Sequence, residues 1–178
     1  LRECLDSVCA QTLKEIEIIC VDDGSTDSSL EILKEYAKKD NRITVLAQRN
    51  LHAGVARNAG LAVATGDYLS FLDSDDFFER NMLEEMYNKA KADKADIVVC
   101  NWDIKDEINN VIKKSSDAVS CWVRDILNKN ECFNFAEKTS EFLMGITNPA
   151  PWNKLYNASF IKNTNVRFQN LTCCNDIG

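Results

Sequence analysis

Leu1, Leu5 and Val8, with Cys4 and Cys9 filling the same face, recur at helical spacing and predict an opening helix as far as Gln11. Ile16, Ile18, Ile19, Cys20 and Val21 then form a continuous apolar, largely β-branched run. Such a run marks a strand buried on both faces of a parallel sheet. It stops at Asp22-Asp23-Gly24, and Ser25, Thr26 and Asp27 offer side-chain oxygens to cap a helix whose Leu30, Ile32, Leu33 and Tyr36 line one face as far as Lys39. The pattern continues with a short strand at 43–46, a Gly- and Ala-rich helix at 53–64, and a buried strand at 68–72 ending in Asp73-Ser74-Asp75-Asp76. A helix at 81–92 and a strand at 97–100 complete it. Strands and helices that alternate through short connections predict an α/β fold with a mostly parallel sheet and helices on both faces.

Beyond Trp102 the periodicity loosens. Residues 103–119 read as a polar excursion or hairpin, 122–127 and 140–143 as short helices, and Pro149 and Pro151 flank a break before 152–156. No repeat or Pro/Ser-rich linker divides the chain, so 102–178 is expected to pack on the same core as 1–101. A length of 178 residues, 45% hydrophobic and 28% charged, suits one such domain.

Charge and cysteines narrow the chemistry. With 21 basic against 28 acidic side chains, the net charge of -7 disfavours a sequence-independent grip on nucleic acid. No apolar run approaches the ~18 residues that would cross a bilayer. The eight cysteines include no CxxC pair, and the sole histidine, His52, is far from any of them in sequence, which argues against a structural zinc site. Cys20 and Cys100 fall inside apolar strands, where a thiol behaves as a small buried hydrophobe. With no signal peptide at the start, reduced thiols and a cytoplasmic location are expected.

The two acidic clusters carry the candidate chemistry. Both lie where strands end, and open parallel sheets collect their ligands beyond the carboxyl ends of strands. So many like charges in one crevice repel each other unless paired. A divalent cation, Mg²⁺ or Mn²⁺, that shares one or two carboxylates with substrate phosphates relieves this. Asp also caps helices and forms turns, a reading that stays open for either cluster alone.

The run Ile18-Ile19-Cys20-Val21-Asp22-Asp23-Gly24-Ser25-Thr26-Asp27, then Ala53-Gly54-Val55-Ala56-Arg57-Asn58-Ala59-Gly60, then Phe71-Leu72-Asp73-Ser74-Asp75-Asp76 resembles the family 2 glycosyltransferases in order and spacing. Pro151-Trp152-Asn153-Lys154-Leu155-Tyr156 is similar to a later segment of bacterial members. The resemblance implies a GT-A (Rossmann-like) fold and an inverting enzyme that moves a sugar from a nucleotide-sugar, expected to be a UDP-sugar, to an acceptor hydroxyl. The acceptor would be a saccharide or lipid-linked molecule of cell-surface polysaccharide synthesis, with peripheral membrane contact.

It further implies that 1–101 form the nucleotide-sugar-binding half and 102–178 an acceptor-side elaboration. Asp22 and Asp23 match the acidic pair that meets the nucleoside, one of them near the base. Asp73 and Asp75 match the DXD carboxylates, Asp73 near the ribose and both toward Mn²⁺ or Mg²⁺. Arg57 would support the nucleotide or stand as a surface helix residue, His52 reads as a loop residue, and Trp152 would wall the acceptor pocket or sit in the core. Asp176, in an Asn-Asp pair where the family more often has Glu-Asp, is the expected general base. The family also places a strand and loop before the first helix and a continuation after Asp176, so the chain is expected to be an internal piece of a longer enzyme.

Two rivals remain at this level. A phospho-acceptor receiver domain also sets carboxylates around Mg²⁺, but it calls for a strand-end Ser or Thr and a Lys, and Cys100-Asn101-Trp102 stand at the next strand end. A non-catalytic nucleotide-binding remnant is the other. A P-loop enzyme is excluded by the missing GxxxxGK[ST].

Overall fold

The computed structural model describes residues 1–106, 111–114 and 150–170. Helix α1 (Arg2–Cys9) leads into β1 (Ile18–Asp23), α2 (Ser29–Lys39), β2 (Ile43–Gln48), α3 (Ala53–Val63), β3 (Tyr68–Ser70), α4 (Met82–Asp93) and β4 (Ile97–Val99). A hairpin of β5 (Asp103–Asp106) and β6 (Val111–Lys114) follows, and after it β7 (Lys154–Asn157) and α5 (Ala158–Thr164). The expected α/β alternation is present. The short helices read at 122–127 and 140–143 fall outside the described residues.

β1 pairs with β2 in parallel, from Ile18 opposite Ile43 to Asp23 opposite Gln48. β7 pairs antiparallel with both β3 and β4, so those two strands run the same way with β7 between them. β1 begins two residues later than the apolar run suggests, because Ile16 is spent in a turn in which its N–H donates to the Lys14 carbonyl. At the other end the ladder with β2 continues through both aspartates, so Asp22 and Asp23 are strand residues. β3 stops at Ser70, opposite Leu155, and leaves Phe71 and Leu72 to run on unladdered toward the second acidic cluster.

Alternation along β1 turns Ile19 and Val21 toward α3, where Gly60 sits against both side chains. On the β3-β7-β4 side, Met86 and Ala90 of α4 pack on Leu155 of β7, with Tyr68, Met82, Tyr87, Val98 and Cys100 around them. The wholly buried Gln11 joins α1 to this half. Its Nε2 donates to the Ser7 and Glu79 carbonyls and its Oε1 accepts from Leu83 N–H at 3.1 Å, satisfying one of the donors that a helix leaves open in its first turn.

The β1-β2 and β3-β7-β4 sheets meet at a cavity of about 710 Å³, lined by β1 and β3 together with Leu1, Leu5 and Val8 from the α1 side. Ile18 N–H donates to the Arg42 carbonyl and Ala158 N–H to the Asp67 carbonyl. By strand alternation the backbone groups of Ile19, Val21, Tyr68 and Ser70 therefore face the cavity. Among the described residues they have no ladder partner. Facing strand edges of this kind template pairing with other chains. The isolated 178-residue chain is accordingly expected to self-associate or to melt with little cooperativity, as checked by light scattering and a thermal melt. A monodisperse, cooperatively melting monomer would count against this.

Burial pushes the thiols of Cys4, Cys20 and Cys100 up to about 11, so they stay protonated and unreactive near neutral pH. All four described cysteines, Cys9 included, are free.

Candidate functional site

Gly24 ends β1 at φ +76°, a left-handed conformation in which a Cβ would come within 2.7 Å of Asn50 N. Only glycine lets the chain turn this close to its neighbour, directly after two aspartates that both line the cavity. Of the three side chains offered as caps, Asp27 serves: α2 starts at Ser29, whose N–H donates to Asp27 Oδ1 at 2.9 Å.

Asp22 and Asp23 project to opposite faces of β1 and differ in their partners. Asp23 Oδ1 accepts from Gln48 Nε2 at 2.7 Å and from Leu51 N–H at 2.9 Å, which ties the end of β1 to the loop before α3. Asp22 is 5% exposed and lines the cavity, and its Oδ1 has no hydrogen-bond partner. A buried carboxylate oxygen left in that state costs about 1–3 kcal/mol or more. A ligand N–H or O–H offered from the cavity would satisfy it.

The second cluster is a tight turn in which Asp73 C=O accepts Asp76 N–H at 3.1 Å. The Cys4 thiol lies 3.6 Å from the same carbonyl and anchors the turn to α1. Arg57 of α3 pairs with Asp73 Oδ1 at 2.8 Å, and its guanidinium stacks over the Phe168 ring at 5.4 Å. Asp75 is exposed on the turn. Burial raises the Asp76 carboxyl above its ordinary value, and the neighbouring Asp75 and Asp73 charges add to the rise.

Among the described residues, no three His, Cys, Asp or Glu side chains meet as a preformed metal cage. Asp73 and Asp75 stand two residues apart on this turn, and their carboxylates are the donor type that Mg²⁺ takes beside diphosphate oxygens and waters.

Thus Asp22, Asp23, Arg57 and Asp73 line one cavity, together with Ser25 and Ser74. Trp152 stands apart from it, half-buried and edge-on to Trp102 at 5.6 Å. The neighbouring Asn153 and Lys154 are buried and bind backbone: Asn153 Nδ2 donates to the Cys100 carbonyl, and Lys154 Nζ donates to Ala150 C=O at 2.6 Å. His52 is an exposed loop residue at φ 72°, directly before α3. Asp176 lies outside the described residues.

Asn58 enters the sequence reading only as part of the motif around Arg57, with no role of its own, and Phe168 not at all. Asn58, beside Arg57 in the otherwise small and apolar α3, is a visible signal, whereas Phe168 has none.

Carboxylates and an arginine gathered at one set of strand ends form the kind of site at which open α/β sheets bind their ligands. Within that class the chain belongs to glycosyl transferase family 2, whose family model matches residues 1–164, and the receiver-domain reading falls away. It is 37% identical over 162 residues to the putative glycosyltransferase EpsH of Bacillus subtilis, covering 91% of this chain and 44% of that protein. It is 38% identical over 164 residues to the cholesterol galactosyltransferase of Borreliella burgdorferi, covering 90% and 45%. The chain therefore spans under half the length of these relatives. The crystal structure of S. aureus TarS 1-349 in complex with UDP-GlcNAc superimposes with a TM-score of 0.74 at 24% identity, over 98% of this chain and 46% of that one. The shared fold is GT-A. Among the described residues no helix is long and apolar enough to cross a membrane.

Proposed function

We propose that the full-length protein is an inverting glycosyltransferase of cell-surface polysaccharide synthesis that acts in the cytoplasm on a UDP-sugar donor and a saccharide or lipid-linked acceptor. The observation that carries this reading is the unpartnered oxygen of buried Asp22, a residue that lines the same cavity as the Arg57–Asp73 pair. Family membership and the UDP-GlcNAc-bound fold relative support it.

In this reading Asp22 accepts a hydrogen bond from the base of the donor, while Asp23, already committed to Gln48 and Leu51, shapes the pocket floor. Asp73 meets the ribose and is held in place by Arg57. Asp75 and Asp73 would hold Mn²⁺ or Mg²⁺, which when bound neutralises charge building on the departing diphosphate. Asp176 takes the proton of the acceptor hydroxyl as its oxygen bonds to the anomeric carbon. The bond from that carbon to the diphosphate breaks, and the nucleoside diphosphate leaves with the electron pair. Attack from the face opposite the leaving group inverts the anomeric centre. Residues 102–178, Trp152 among them, would form the acceptor side.

Titrating the full-length protein with UDP, with and without Mn²⁺, tests the reading. UDP is expected to bind, and more tightly with Mn²⁺. Asp22→Ala is expected to weaken UDP about tenfold or more, the scale of a lost hydrogen bond to a charged group. Unchanged affinity in that variant would remove Asp22 from the base pocket. A protein that binds UDP but transfers no sugar from any donor would be the non-catalytic remnant.

A further inference from the structure

Residues 168–169 cross the start of α3 in an unusually close embrace. Asn58 Nδ2 donates to the Phe168 carbonyl at 2.8 Å, and Phe168 N–H donates back to Asn58 Oδ1 at 3.0 Å, so one side-chain amide satisfies both backbone groups of a residue 110 positions away. One turn earlier on the helix, a Cβ on Gly54 would lie 2.2 Å from the Gln169 carbonyl oxygen, a separation that only glycine permits. The Phe168 ring, held at this height, meets Phe71 edge-on at 5.0 Å and lies beneath the Arg57 guanidinium at 5.4 Å. Phe71 belongs to the run of chain leading from β3 to Asp73, and Arg57 is itself bonded to Asp73.

We infer that Asn58 is a positioning residue of the donor site. By fixing Phe168 from its backbone it sets the aromatic wall on which Arg57 rests, and through Arg57 it sets the orientation of Asp73. A planar amide suits this task because it presents a donor and an acceptor side by side, matching the N–H and C=O of one extended residue. Were the hold released, Phe168 would lose both backbone bonds that fix its height on α3, and the aromatic surface under the Arg57 guanidinium would loosen. The inference rests on the reading that Asp73 meets the nucleotide.

Asn58→Ala and Phe168→Leu, singly and together in the full-length protein, test it through donor KM, kcat and the UDP dissociation constant. Asn58→Ala is expected to raise donor KM and the UDP dissociation constant about tenfold, the equivalent of one to two ordinary hydrogen bonds, with kcat changed much less. Phe168→Leu keeps the backbone bonds but removes the ring, and should move the same constants in the same direction. The double variant should be no worse than the poorer single one, because both act through one contact. A role in fold stability alone would lower the folded fraction, and with it kcat per total protein, at unchanged KM. That outcome, or additive effects in the double variant, overturns the inference. If the unaltered protein binds UDP and Asn58→Ala binds it equally well, the inference falls and the glycosyltransferase reading stands. If the unaltered protein binds no UDP, the reading falls and takes the inference with it.

Discussion

In the full-length protein, Asp75→Ala is expected to lose about 10²-fold or more of its sugar-transfer rate while keeping its fold, the scale on which removing charge stabilisation from a leaving group is felt. The fold should survive because the turn is held without this side chain. Asp73 C=O takes Asp76 N–H at 3.1 Å, and Phe78 N–H beyond the turn donates to Ser7 Oγ at 3.1 Å. Asp75 is exposed and contributes to neither bond. Activity should not survive, because Asp73 already shares one oxygen with Arg57 and is a poor sole anchor for a cation. UDP release followed across a Mn²⁺ titration, beside a thermal melt of the same preparation, separates the two effects. Transfer at the normal rate with an unchanged Mn²⁺ dependence would dismiss the metal assignment to Asp75.

Asp176→Asn is expected to lower kcat about 10²-fold or more, the usual effect of a lost acid-base group, and to leave UDP affinity intact. The expectation is chemical: a sugar hydroxyl is too weakly acidic to attack an anomeric carbon efficiently unless its proton is taken as the new bond forms. Asn preserves the shape of the side chain and removes its basicity. Donor affinity should persist because the nucleotide contacts proposed above are assigned to Asp22, Arg57 and Asp73, and Asp176 is assigned only the acceptor proton. Measuring kcat beside UDP affinity in one variant makes the result decisive. An unchanged kcat removes Asp176 from the mechanism, and a loss of UDP binding moves it to the nucleotide site.

Much of the first hundred residues is legible in order along the chain because the forces that make each element are local. The apolar run of β1, the amphipathic spacing of α2 and the small residues of α3 each encode their own periodicity. The clustering of acidic residues at strand ends is equally visible. Boundaries are read less well: Asp22 and Asp23 belong to β1 because β2 continues beside them as far as Gln48, a fact carried by the partner strand.

The same division applies to the site. Residue types and their spacing name the aspartates and Arg57, but the different standing of the two adjacent carboxylates comes from Gln48 and Leu51, which lie 25 and 28 positions from Asp23. The insertion of β7 between β3 and β4 and the grip of Asn58 on Phe168 are likewise decided only in three dimensions. In these cases the contact is made largely by backbone N–H and C=O groups. Every residue except proline carries the same pair, so the side-chain pattern can specify a helix or a strand without recording which distant backbone will come to meet it.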